Sequence, residues 1–410
     1  MNNWKNFVVL IVEDSVVQRA HLVELVKSLN FGLILEACDG VDALRVLEAH
    51  GTNAIDLVLT DLDMPAMDGI ELIRHLSERQ LTKHLIVVSA RDPRMLEVVE
   101  AMGTEDAGLH LLGTVVKPVK LDDLKAILQR IEKNTRARVG LPERARFTLE
   151  ELEVALTAGQ FLPFFQPMIS LTSGVVKGVE ALARWQHPEY GLLAPIHFIP
   201  RIEGSPLMLP FTLSMVGQIM RQLVAWRKEG MPVLTVSINL SAENLSDPDF
   251  IEQLVNLSIA HGIAPESLIW EVTETVVMSN LSQCLANLVR LRLKGFGLAM
   301  DDYGIGYSSM QQLSRCPFTE LKIDRTFVDG AAGRPNRRAV LDSSIDMGHR
   351  LGAFTVAEGV ETMADWELLQ ELGCDIAQGY LIAKPMAAGE LKEWIEVNQG
   401  RLQSLAEKIS

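Results

Sequence analysis

Gly297-Leu-Ala-Met-Asp-Asp302 is an apolar run that ends abruptly in two carboxylates. Such a run, bounded by charge, reads as a buried β-strand, and the acids mark its carboxyl end. The pattern recurs: Val175–Val179 runs into Glu180, Leu234–Ile238 into Asn239, Leu268–Trp270 into Glu271, and Ala353–Ala357 into Glu358. A carboxylate at the end of a buried strand is costly unless something pairs with it. Repeated around alternating strands and helices, these residues suggest one oxygen-lined metal site assembled from many strands. From Thr148 onward the alternation continues for about 250 residues, the usual length of a (β/α)8 barrel, in which functional residues project from the strand carboxyl ends.

The segment ahead of the barrel is also α/β. Strands are expected at Phe7–Val12, Leu33–Cys38, Leu57–Thr60, Leu85–Val88 and Gly113–Val116. Amphipathic helices are expected near Val16–Leu29, Val41–Ala49 and Leu121–Lys133. Strand–helix alternation of this kind predicts a parallel sheet covered on both faces. The charged stretch from Glu132 to Arg146, interrupted by Gly140 and Pro142, reads as a linker. The expected organisation is a flavodoxin-like domain over residues 1–132, a linker over 133–147, a barrel over 148–400 and a tail over 401–410.

Composition narrows the class. The 410 residues suggest two or three domains, and 48% hydrophobic with 22% charged residues is ordinary for a globular protein. No apolar run is long enough to cross a bilayer, and the N-terminus lacks a signal-peptide pattern, so a cytoplasmic, membrane-free protein is expected. A formal net charge of -15 argues against direct DNA binding. Cys38, Cys284, Cys316 and Cys374 match no zinc spacing and read as buried, reduced thiols. His187, His197, His261 and His349 match no metal spacing either.

Ligands of open parallel sheets bind beyond the strand carboxyl ends. In the first domain Glu13 and Asp14 follow the first strand, Asp61 the third, Ser89 the fourth, and Lys117-Pro118 the fifth. Three converging carboxylates suit Mg²⁺, and one of them could act as an aspartyl nucleophile toward phosphorus. In the barrel, Glu180, Asn239, Glu271 and Asp301 offer oxygen alone, which favours Mg²⁺ or Mn²⁺ over zinc. Asp302 and Glu358 allow a second ion bridged by Asp301. Lys322, in Glu320-Leu-Lys-Ile-Asp324, could orient a water or neutralise developing charge. Taken singly, a strand-end Glu is more often an ion-pair partner than a ligand, and the Gly304–Gly306 pair more often permits a turn than cradles phosphate. Only the joint set overturns those readings.

The first domain resembles a response-regulator receiver domain over about 130 residues: Asp61-Leu-Asp-Met-Pro-Ala-Met-Asp-Gly69 looks like the phosphoacceptor loop, with Glu13, Asp14, Ser89 and Lys117 in the family's other places. The resemblance implies phosphorylation of Asp61 by a cognate sensor histidine kinase, with one metal ion. Two departures stand out. Thr114 sits where receivers usually carry an aromatic, and the Ser89–Lys117 segment is long.

Residues 148–400 resemble an EAL-domain cyclic-di-GMP phosphodiesterase. The motifs run in order: Glu180-Ala-Leu-Ala-Arg184, Asn239-Leu-Ser241, Glu271-Val-Thr-Glu274, Asp301-Asp302-Tyr-Gly-Ile-Gly306, Leu321-Lys-Ile-Asp324, Ala357-Glu-Gly-Val-Glu361 and Gln378-Gly-Tyr380. By resemblance Glu180, Asn239, Glu271 and Asp301 hold one Mg²⁺ or Mn²⁺ and Asp302 helps hold another. Glu180, Lys322 and Glu358 are catalytic, with Lys322 and Glu358 serving the water or the metals. Gln166, Leu182, Arg184, Asp302, Glu361 and Gln378 line the substrate, and Glu274 anchors the loop 302–309. Tyr303 and Ile305 replace the family's usual Phe and Thr. Arg201-Ile-Glu203-Gly-Ser-Pro206 departs from its usual Leu-Ala-Glu. The implied function is hydrolysis of cyclic-di-GMP to linear pGpG in a homodimer or higher homo-oligomer under phosphorylation control. A cyclic-di-GMP-binding effector of weak activity, or a dimeric scaffold signalling by protein contact, is the competing class.

Overall fold

The computed structural model describes residues 4–51, 54–89, 109–128, 147–247, 249–273, 281–304 and 316–407. Two compact units divide the chain, Met1–Leu141 and Pro142–Ser410.

In the first unit, β1 (Val8–Val12), β2 (Leu33–Ala37), β3 (Ile55–Asp61), β4 (Thr82–Ser89) and β5 (His110–Val116) form a parallel sheet ordered β2-β1-β3-β4-β5. The sequence Val-Val-Leu-Ile-Val of β1 is apolar throughout because both faces are covered. Val9 and Ile11 pack with Leu22, Val23 and Val26 of the helix Val16–Ser28 and with Leu124 and Leu128. Leu10 and Val12 pack with Leu44, Leu47, Leu72 and Leu76 of the helices Gly40–His50 and Gly69–Arg79 on the other face. Asp39 and Asp68 cap those two helices, each side chain accepting a backbone N–H at 2.8 Å. Cys38 differs from expectation. It is exposed, because β2 is an edge strand that has ended one residue earlier, whereas Cys284, Cys316 and Cys374 are buried.

The second unit contains the strands β6 (Phe161–Ser170), β7 (Val176–His187), β8 (Gly191–Leu193), β9 (Thr235–Asn239), β10 (Leu268–Thr273), β11 (Gly297–Tyr303), β12 (Glu320–Ile323), β13 (Phe354–Ala357), β14 (Ile376–Ala377) and β15 (Met386–Ala387). Eight of them close a ring, β6-β14-β13-β12-β11-β10-β9-β7 and back to β6, with β8 and β15 attached outside it. Seven run parallel. β6 is antiparallel to both neighbours, β7 and β14, since a connection as short as residues 171–175 can join only antiparallel strands. That hairpin changes the setting of Glu180. It lies inside β7, paired with Gln166 of β6, and not at a strand end as expected, because β7 runs on to His187 beyond the ring. Trp185, Trp270, Trp366, Phe161 and Phe165 are among the largest fully buried side chains of the unit. No helix among the described residues is long and apolar enough to cross a membrane.

Candidate active site

Alternation along each strand aims the acids into the ring. Glu271 on β10 and Lys322 on β12 are each 1% exposed, and Glu180 and Asp301 are also buried. Register sets their heights: Glu271 is level with Asn239 on β9, and Asp301 with Thr273 on β10. Lys322 stands at the centre. Its Nζ lies 2.6 Å from Glu358 Oε1, 2.8 Å from Glu271 Oε1, 3.2 Å from Asp301 Oδ1 and 3.7 Å from Glu180 Oε2. Burial alone would lower the lysine pKa, but Glu180, Glu271, Glu358 and Asp301 hold it well above its ordinary value, so the ammonium is retained. Burial pushes the Glu271 carboxyl well up and Glu358 up to about 7.

A bulge in β11 brings two successive carboxylates to one side. The ladder with β12 shifts register between Met300 and Tyr303, and Asp302 adopts a positive φ of 54°. Oxygens of Asp301, Asp302 and Glu358 consequently lie within 4.8 Å of one another, a grouping able to hold a cation. Burial, reinforced by the neighbouring Asp301 charge, raises Asp302 to about 6.

Amides tie the other wall. Gln378 Nε2 donates to Glu180 Oε2 at 2.5 Å and to Gln166 Oε1 at 3.0 Å, while Gln166 Nε2 donates to the Ala383 carbonyl. Gln166, expected to touch base or ribose, therefore has both halves of its amide engaged within the protein. Asn239 is exposed, and its Nδ2 lies 3.4 Å from Glu180 Oε1. Farther along the β6–β7 ribbon, half-buried Leu182 pairs with Phe164, and the Arg184 guanidinium sits 5.8 Å over the Phe164 ring. Glu361 lies outside the central cluster, paired with Arg325 at 3.0 Å. Glu274, Ile305 and the rest of the loop 305–315 lie outside the described residues, as do most of the long Ser89–Lys117 segment and the linker.

Two residues were missed in the sequence. Glu320 sits two positions before Lys322 on the same face of β12, and Arg325 follows Asp324 directly. The alternation of β12 signals the first; nothing local distinguishes the second from a surface arginine.

In the first unit, oxygens of Glu13, Asp14 and Asp61 lie within 4.8 Å of one another at the carboxyl edge of the sheet. Lys117 Nζ is 2.6 Å from Asp61 Oδ2 and 2.7 Å from Glu13 Oε2. Asp61 Oδ1 accepts the Leu62 N–H at 2.7 Å. The loop turns back closely enough that a Cβ on Gly69 would fall 2.1 Å from the Asp61 carbonyl oxygen, which only glycine tolerates. Ser89 is buried at the end of the adjacent β4.

Residues 149–385 match the EAL domain family, and residues 9–129 match the response regulator receiver domain. The chain belongs to the EAL family, with a receiver domain preceding the EAL domain. The cyclic di-GMP phosphodiesterase RocR of Pseudomonas aeruginosa is 37% identical over 386 residues, covering 92% of this chain and 96% of that protein. Among solved structures, the PaMucR phosphodiesterase in complex with c-di-GMP is 36% identical, with a TM-score of 0.57 over 59% of this chain and 98% of that one. The EAL enzyme Bd1971, bound to cAMP and cyclic-di-GMP, is 28% identical, with a TM-score of 0.57 over 67% of this chain and 75% of that one.

Proposed function

We propose that the EAL barrel hydrolyses cyclic-di-GMP to linear pGpG by a two-metal mechanism and that phosphorylation of Asp61 controls it. The observation that carries the reading is the convergence of Glu180, Glu271, Asp301 and Glu358 on Lys322, beside the Asp301–Asp302–Glu358 oxygen group. The site fits divalent cations. Glu271 Oε2 is buried without a hydrogen-bond partner, Glu271 Oε1 and Asp301 Oδ1 face only the Lys322 ammonium, and with Asp302 the site gathers five carboxylates against that one cation. Two divalent ions would balance the four that remain. Glu180, Asn239, Glu271 and Asp301 would hold one, and Asp301, Asp302 and Glu358 the other. When bound, Mg²⁺ or Mn²⁺ supplies a Lewis-acidic clamp on the attacking and leaving oxygens of an in-line phosphoryl displacement.

The chain's own residues do the rest. A water attacks one phosphorus of the ring, one P–O bond breaks, and the leaving ribose oxygen takes a proton. Glu358, next to Lys322, orients that water and receives its proton, and the ammonium offsets charge gathering on phosphorus. Arg184 offers a planar fork to the second phosphate. Gln378 keeps Glu180 turned inward. In the receiver unit, an Asp61 oxygen attacks the phosphorus of a donor phosphohistidine, the P–N bond breaks and the imidazole leaves with a proton, while Lys117 and Ser89 take the phosphoryl oxygens and Glu13 and Asp14 would hold one divalent ion. The phosphodonor is a sensor histidine kinase.

The test is turnover of cyclic-di-GMP by the full chain with Mg²⁺, following pGpG by chromatography. Product is expected from the wild type, with a loss of at least about 10²-fold in Glu180→Ala. Tight binding of intact cyclic-di-GMP without product would replace the enzyme by a binding effector.

A further inference from the structure

We infer that Arg325 is a positioning residue for the substrate, fixing the Glu361 carboxylate at the barrel rim where it accepts hydrogen bonds from cyclic-di-GMP. The inference rests on the substrate named above. Arg325 opens the short helix Arg325–Val328, directly after β12, and Asp324 caps that helix by accepting the Thr326 N–H at 2.8 Å. The Arg325–Glu361 pair has side chains 51% and 35% exposed, and a pair so placed normally contributes little to stability.

Two features set this pair apart from a chance surface contact. The stem of Arg325 lies flat on Gly359. A Cβ at that position would fall 2.3, 2.5 and 2.7 Å from its Cγ, Cβ and Cδ, and Gly359 also has a φ of +65°. The backbone between Glu358 and Glu361 is held from the other side as well. Val360 N donates to the Gln378 carbonyl, Leu381 N to the Val360 carbonyl, and Glu358 N to the Ile323 carbonyl, each at 3.0 Å. Gly379 packs so tightly there that its Cβ would meet Val360 O at 2.2 Å and Val360 N at 2.3 Å. One rigid turn thus carries Glu358, at the acidic cluster, and Glu361, three residues outward, with a guanidinium fixing the direction of the second.

A carboxylate can only accept hydrogen bonds, and it repels the phosphates of the ligand. The donors that cyclic-di-GMP offers are the guanine N1–H and N2–H edge and the ribose 2′-hydroxyl. With Arg325 gone, Glu361 turns into solvent. The loss then falls on binding, since neither residue is among the carboxylates gathered on Lys322.

The experiment measures kcat and KM for cyclic-di-GMP in the full chain carrying Arg325→Ala, Arg325→Lys, Glu361→Gln and the Arg325→Ala/Glu361→Gln double substitution. Arg325→Ala is expected to raise KM about tenfold with kcat within about twofold, a loss of uniform binding. Arg325→Lys should recover most of it, and the double variant should be no worse than Arg325→Ala, because the two residues act as one unit. The cyclic dinucleotide with inosine for guanine, which lacks the N2 amine, separates the two donors. A wild-type preference for guanine that vanishes in Arg325→Ala assigns the N2 amine, and an equal loss for both ligands assigns N1–H or the ribose 2′-hydroxyl. Additive losses, a fall in kcat at unchanged KM, or Arg325→Lys no better than Arg325→Ala would overturn the inference. A wild type that turns over no cyclic-di-GMP would instead overturn the reading on which it rests.

Discussion

Glu320 shows how far a single buried acid departs from its ordinary chemistry. It is 7% exposed, its Oε2 has no hydrogen-bond partner, and burial pushes its pKa up to about 7 against the opposing charge of Lys322. The sign of its effect on stability follows. The folded state holds the proton more tightly than the unfolded chain, whose ordinary value is 4.5. Stability is therefore lost as pH rises from about 4.5 through about 7, and the cost is complete at pH 8. In chelator, Glu320→Gln is expected to unfold later than wild type at pH 8, by an upper bound of about 3 kcal/mol, with most of the advantage gone near pH 5. Denaturant melts at the two pH values check this; an advantage of the same size at both would mean that packing and not charge is responsible. The carboxylates around Lys322 were legible in the sequence because each ends or interrupts an apolar run. Glu320 was signalled only by the alternation of β12, which puts it on the face of Lys322, because a charged residue opening a strand usually faces water.

At the scale of the element, β11 and the β6–β7 hairpin account for what the apolar runs conceal. A regular strand would send Asp301 and Asp302 to opposite faces. The bulge and the left-handed Asp302 bring both toward Glu358, at a conformational cost that glycine would not bear. In chelator, Asp302→Gly should be about 1 kcal/mol more stable than Asp302→Ala, while both lose cyclic-di-GMP turnover. Equal thermal stability of the two variants would show that the positive φ is not required by the bulge. The strands β9, β10, β11 and β13 were predicted to within a few residues, because apolar runs survive in the sequence, whereas β7 runs on to His187, well past the expected end at Val179. The antiparallel setting of β6 was not predicted, and with it went the placement of Glu180. Direction is encoded in the length of the 171–175 connection, a quantity that alternating hydrophobicity does not express.

The whole molecule joins two α/β units that use one device, carboxylates gathered at the strand carboxyl ends on a lysine, half-buried in the first unit and buried in the second. Lys117 with Glu13 and Asp61 in the first unit parallels Lys322 with Glu271 and Glu358 in the second. In each, the ammonium makes a dense anionic cluster tolerable, and arrival of a divalent cation or a phosphoryl group changes what that ammonium must neutralise. Charging Asp61 replaces a carboxylate oxygen 2.6 Å from Lys117 with a larger, more negative group, so the 61–69 loop and the end of β5 must rearrange locally. If that rearrangement is the input to the barrel, turnover of cyclic-di-GMP with beryllofluoride differs at least about twofold from turnover without it. Asp61→Asn should be blind to the reagent while keeping its own basal rate and its Mg²⁺ requirement. Equal rates with and without beryllofluoride in the wild type would uncouple the two units. The receiver would then be a site of phosphorylation whose output is something other than hydrolysis.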